Sequence, residues 1–134
     1  AERFRECGLE IATGMGMLWD DYRDFYNRVK VAIIKSVARD VTQRFLECMA
    51  MGCAVLCDMP RDAEAMGFRA YTDFLPYTDD DDAVEKARAL LKDGRWIEFA
   101  RQGQKTVRPN TWDARALTLL REVDRMKLAR DLQC

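Results

Sequence analysis

Phe45, Leu46, Met49 and Ala50 recur at helical spacing and leave Gln43, Arg44 and Glu47 on another face. One glycine later comes the wholly apolar run Ala54-Val55-Leu56-Cys57. The first pattern predicts a helix, and the second a strand covered on both sides, as in a parallel sheet. Gly52 supplies the permissive backbone on which such a helix ends. Asp40 with Gln43 three residues later has the spacing of a capping pair, so the helix is expected to begin near residue 40.

The same reading extends along the chain. Residues 2 to 7 read as the tail of a helix, and Leu9 to Thr13 as a short strand closed by Gly14 and Gly16. Trp19, Tyr22, Phe25, Tyr26 and Val29 recur at helical intervals, with Asp20 and Asp21 at the end a helix dipole favours for acids. Val29 to Ile34 is the next strand. A short helix is expected around residues 61 to 66, ended by Gly67, and then an edge strand from Thr72 to Tyr77, because Pro76 removes a ladder donor.

The remainder is helical. Ala83, Val84, Ala87, Leu90 and Leu91 form one stripe, and Trp96, Ile97, Ala100 and Val107 a second after the break at Asp93-Gly94. Beyond the stop at Pro109, Trp112, Ala116, Leu119, Leu120, Val123 and Met126 predict a long closing helix. Trp19, Trp96 and Trp112 all lie on apolar stripes and read as core residues. The expected fold class is α/β: one domain over residues 1–134, a Rossmann-like parallel sheet with helices on both faces and C-terminal helices closing it.

Composition narrows the chemistry. A hydrophobic content of 49% supports one core, and 22 basic against 23 acidic residues suggest neither a nucleic-acid field nor an acidic tail. No run approaches the roughly 18 apolar residues that span a bilayer, and no signal peptide is evident, so cytoplasmic residence is expected. The five cysteines, Cys7, Cys48, Cys53, Cys57 and Cys134, are odd in number and read as reduced packing thiols. With no histidine in the chain, a Ser-His-Asp or Cys-His hydrolase is excluded and no metal site is expected. The acidic run Asp79 to Asp82 could be a cation site; capping of the following helix is the expected role.

Ligands of open α/β sheets collect where strands end and helices begin, and Glu47 lies about one turn inside such a helix. The block Thr42-Gln-Arg-Phe-Leu-Glu47-Cys-Met-Ala-Met-Gly52-Cys-Ala-Val55, with Asp58 and Glu64 after it, resembles the donor-binding half of GT-B glycosyltransferases. Phe74 to Asp79, Ala83 to Lys92, Ala100 to Gly103 and Asn110-Thr-Trp112 resemble its later segments in order. Asp40-Val-Thr42-Gln-Arg44-Phe-Leu-Glu47 is closest to the spore-maturation glycosyltransferase-like subgroup. The resemblance covers roughly residues 22 to 125.

It implies a hexosyl-type transferase that binds a nucleoside-diphosphate sugar, with no further cofactor and an unknown acceptor. Glu47 would accept the two ribose hydroxyls. The amides near Val41, Thr42 and Gln43, the Thr42 hydroxyl and Arg44 would face the diphosphate, with Asp40 beside the sugar. It also implies an N-terminal GT-B domain outside this chain, so the 134 residues alone are expected to be inactive. Many retaining members carry a glutamate eight positions before the one matched by Glu47; here that residue is Arg39. A non-catalytic GT-B-like binding or assembly module is therefore the alternative, and without the family Glu47 could be a solvated helix residue or an ion-pair partner of Arg44. A receiver-like domain ranks lower, because Asp20, Asp21 and Asp58 come without a matching lysine.

Overall fold

Three parallel strands, β1 (Val31–Ile34), β2 (Ala54–Asp58) and β3 (Leu75–Tyr77), form a sheet in that order in the computed structural model, which describes residues 2–131. Around it lie α1 (Glu2–Glu6), α2 (Trp19–Tyr26), α3 (Gln43–Ala50), α4 (Asp80–Lys92), α5 (Trp96–Val107) and α6 (Trp112–Asp131). Val31 pairs with Ala54 and Leu56 with Leu75, so β2 is central and β3 is an edge, where Pro76 costs no ladder bond on its open side.

Strand alternation divides the core in two. Val55 and Cys57 of β2, with Ala32 and Ile34 of β1, meet Phe45, Cys48 and Met49 of α3 on one face. Ala54 and Leu56 point to the other face, against Ala83, Val84, Ala87 and Leu90 of α4 and Phe4 of α1. Burying each large apolar side chain contributes about 1.5–3 kcal/mol, which is why both faces of β2 are apolar. Phe45 anchors the first face, its ring 5.3 Å from both Phe68 and Phe74 at steep angles.

Helix α3 is bounded by its own chemistry. Thr42 is the N-cap, its Oγ1 accepting from the Phe45 amide at 3.3 Å. At the other end Gly52 turns to φ +83°, and the Gly52 and Cys53 amides donate to the carbonyls of Met49 and Cys48. That pair of bonds closes the helix in a Schellman motif and drops the chain directly into β2. Asp40 is not the cap: the helix starts at Gln43, and Asp40 stands exposed before it.

Other expectations are corrected. Leu9 to Thr13 forms no strand, because no neighbour offers it a ladder; Leu9 and Ile11 instead pack on the α4-side core. Residues 61–67 are turns rather than a helix, since the Asp62 side chain is drawn to the Val41 amide and one short segment cannot recover the nucleation cost. Strand β3 is shorter than Thr72 to Tyr77 because Asp73 is diverted into a buried polar cluster.

Helix α5 buries Phe99, Ala100, Gly103 and Val107, which is rotated from the expected stripe and leaves Ile97 exposed. A Cβ at Gly103 would lie 3.3 Å from both the Asp73 carbonyl oxygen and Met49 Cγ, so glycine permits the close approach of α5 to α3. Helices α4 and α5 close the sheet, but α6 does not: Trp112, Leu119, Leu120 and Met126 are exposed, and its main neighbour is the 3-10 turn Arg108–Asn110 that leads into it. Trp19 is also exposed, at 90%, while Trp96 alone of the three tryptophans is half-buried, against the α4 side.

Asp79 caps α4 by accepting from the Asp82 amide at 2.9 Å, the role expected for the acidic run. Asp82 pairs with Lys86 at 2.7 Å. Cys7, Cys48, Cys53 and Cys57 are free thiols, the last three buried; Cys134 lies outside the described residues.

Candidate functional site

Helix α3 joins β1 to the parallel strand β2, so its N-terminus must start at the C-terminal rim of the sheet. The loop that delivers it, residues 35–42, is laced to the segment leaving β2. The Ser36 amide and hydroxyl donate to the two oxygens of Asp58 at 2.8 and 2.9 Å. The Arg61 amide donates to the Arg39 carbonyl at 2.8 Å, and the Val41 amide to Asp62 Oδ1 at 2.8 Å. These bonds hold Arg39 in a left-handed backbone (φ +54°), a conformation that costs an ordinary side chain of order 1 kcal/mol.

One expected phosphate donor is thereby lost, since the Val41 amide is already committed to Asp62. The amides of Gln43 and Arg44 remain, at the first two helical positions, with no acceptor among the described residues. Thr42 accepts through Oγ1 and keeps its hydroxyl hydrogen, so capping and donation to a ligand are compatible. The Arg44 side chain is exposed and forms no ion pair among the described residues, with Glu47 or any other carboxylate. Asp40 is exposed on the same rim loop.

Glu47 lies about one turn below the N-terminus and is half-buried. Tyr22 Oη donates to its Oε2 and Gln43 Nε2 to its Oε1, both at 2.7 Å. Burial, and after it the Glu47 carboxylate, pushes the Tyr22 phenol well above the ordinary tyrosine range, so it stays a hydroxyl donor. Gln43, Arg44 and Glu47 thus share the face expected of them. Tyr22, Ser36 and Asp62 were not anticipated: Tyr22 reads in sequence as one more member of an apolar stripe.

The rim also carries Tyr77, whose hydroxyl donates to the Ile34 carbonyl at 3.0 Å across the end of β2. Burial and the nearby Asp58 push its phenol up to about 12. A cleft of about 740 Å³ lined by Tyr71, Arg95, Arg101 and Lys105 lies elsewhere, where β3 is entered and α4 ends, at the opposite rim. None of Asp40, Thr42, Gln43, Arg44 and Glu47 lines it. What the α3 end offers is an open surface with unpaired amides, a hydroxyl, a cation and one braced carboxylate.

A family model described as glycosyl transferase-like matches residues 11–121. That span takes in all three strands, α2 to α5 and the first half of α6. No curated protein and no solved structure matches the chain.

Proposed function

The chain belongs to the glycosyl transferase-like family, and on that premise we propose that it binds a nucleoside-diphosphate sugar at the N-terminus of α3 as the donor unit of a hexosyltransferase. Glu47 accepts the ribose hydroxyls. The Gln43 and Arg44 amides, the Thr42 hydroxyl and the Arg44 guanidinium take the diphosphate, and Asp40 borders the sugar. The observation that carries this reading is a half-buried carboxylate, oriented by two donors, one turn inside a helix whose first amides are free. A helix N-terminus favours an anion through its amides and its dipole.

In the transfer, an acceptor hydroxyl oxygen bonds to the anomeric carbon, the bond from that carbon to the diphosphate breaks, and the hydroxyl proton passes to a base. Amides and a cation at the diphosphate stabilise the negative charge of the leaving group. The acceptor, and the residues that contact it, belong to a further domain in this reading. The order Asp40, Thr42, Arg44, Glu47 supports reading the chain as a member of the spore-maturation glycosyltransferase-like subgroup.

Titration of UDP, GDP and ADP into the wild type and Glu47→Ala by calorimetry tests the proposal. One of the three is expected to bind, with an affinity that falls at least tenfold or so in the variant, as the loss of hydrogen bonds to a charged group predicts. No heat from any nucleotide with either protein would instead favour a non-catalytic module, the reading that Arg39 supports.

A further inference from the structure

We infer that Tyr22 is a positioning residue for Glu47 and sets the preference of the donor site for ribose over deoxyribose; the inference rests on the role of Glu47 proposed above. An ionised carboxylate has about four acceptor directions, two on each oxygen. Tyr22 takes one on Oε2 and Gln43 one on Oε1. About one direction per oxygen remains, which matches the two donors of a vicinal diol.

The two donors are not equivalent. Gln43 is exposed and sits on the same helix as Glu47, so it can follow the carboxylate if that swings. Tyr22 comes from α2, 25 residues away, and is itself held in place: its ring lies 4.8 Å from that of Tyr26, and the Tyr26 carbonyl accepts from Cys53 Sγ at the entry to β2. Among the described residues, Tyr22 Oη is the one polar group of α2 that bonds Glu47, while Tyr26, one turn on, faces Cys48 of the same helix α3. The phenol therefore fixes the glutamate against a frame outside its own helix. Ordering a glutamate side chain costs conformational entropy, and a site ordered before the ligand arrives does not charge that cost to binding.

The consequence is selectivity. A ribose presents both hydroxyls to the two open directions, whereas a 2′-deoxyribose leaves one direction of a fixed, partly desolvated carboxylate empty. With Tyr22→Phe the carboxylate is free to turn toward water, and the missing hydroxyl matters less. The phenol acts through Glu47 and needs no contact with the nucleotide.

The test uses the full chain as wild type, Tyr22→Phe and Glu47→Gln. UDP, GDP and ADP and their 2′-deoxy counterparts are titrated by calorimetry, and the tightest pair is carried into the variants. The wild type is expected to prefer the ribonucleotide by about tenfold, and both variants to reduce that ratio to about threefold or less. Each ratio comes from one protein, so a general loss of fold cancels from it; thermal melts within a few degrees of each other confirm that Tyr22→Phe removes only a hydroxyl. If Glu47→Gln loses the preference and Tyr22→Phe keeps it, the positioning role is wrong and the donor site stands. No preference in the wild type overturns the positioning role as well. If no nucleotide binds the wild type, or Glu47→Gln retains the full ratio, the reading of Glu47 fails and takes this inference with it.

Discussion

Replacing Asp73 with asparagine should destabilise the domain far more than its small change in shape suggests. Asp73 is 1% exposed, and its two oxygens serve three donors: the Arg69 amide at 2.7 Å on Oδ2, and Thr106 Oγ1 at 2.7 Å and Gln102 Nε2 at 3.1 Å on Oδ1. An asparagine oxygen can still serve Thr106 and Gln102, but its NH2 group then faces the Arg69 amide, donor against donor. One charge-assisted hydrogen bond is lost and its buried partner is left unpaired, a cost of about 2–3 kcal/mol. For a domain of this size each kcal/mol lowers the melting temperature by roughly 3–5 °C, so a fall of about 6–15 °C is expected. Asp73→Ala, which strands all three donors, should cost about 3–5 kcal/mol.

The assay is thermal and urea unfolding followed by circular dichroism, with Thr106→Val and the double variant included. Asp73 and Thr106 share one bond, so their effects should fall short of additivity by about 0.5 kcal/mol or more. A melting temperature for Asp73→Asn within about 2 °C of the wild type would refute the account of Asp73 as the buried acceptor that joins α5 to the turn before β3. The perturbation also reaches α3. Gly103, which follows Gln102, lies against the Asp73 carbonyl and Met49 of α3, so a shift of α5 is transmitted to α3.

Two further outcomes are expected. Asp62→Ala removes the acceptor of the Val41 amide and frees the rim loop, so exchange of that amide should accelerate by about tenfold or more; exchange unchanged from the wild type would show that Asp62 does not hold the loop. Tyr22 and Tyr77 both titrate above the ordinary tyrosine range, chiefly through burial. Their folded-state values exceed the unfolded one, so the stability they contribute is present below about pH 10 and is lost as pH rises beyond it. Denaturant unfolding from pH 9 to 12 should show this decline, and Tyr77→Phe should make it shallower; an identical slope in the variant would count against the assignment.

Much of the fold could be read from local pattern. The doubly covered apolar run Ala54 to Cys57, the helix through Phe45 to Ala50 and its glycine stop each follow from residues within one turn or strand of one another. So does the capping of α4, where Asp79 and Asp82 are three residues apart. Asp40 lost the cap locally, to Thr42 two residues on, but most readings that failed depended on a distant partner. Leu9 to Thr13 has strand-like residues but no ladder to join, and the stripe on α6 is helical yet finds no core to cover. Trp19 and Trp112 show the same limit, since a stripe says which side of a helix is apolar and not whether anything packs on it.

Glu47, Thr42, Gln43 and Arg44 could be placed at the start of one helix from sequence, because helical spacing is a local property of the chain. Which groups meet them could not. Tyr22 is 25 residues from Glu47 and Asp62 is 21 from Val41, and only the parallel pairing of β1 with β2 brings α2 and the segment after β2 to the same rim. Sequence determined α3 with its glycine stop, the doubly covered β2 and the types of donor and acceptor at the head of α3, since near-neighbour sterics and spacing decide those. The tertiary structure decided which acceptors are already spent and which remain open, because a hydrogen bond between distant residues exists only once chain closure has brought its two ends together.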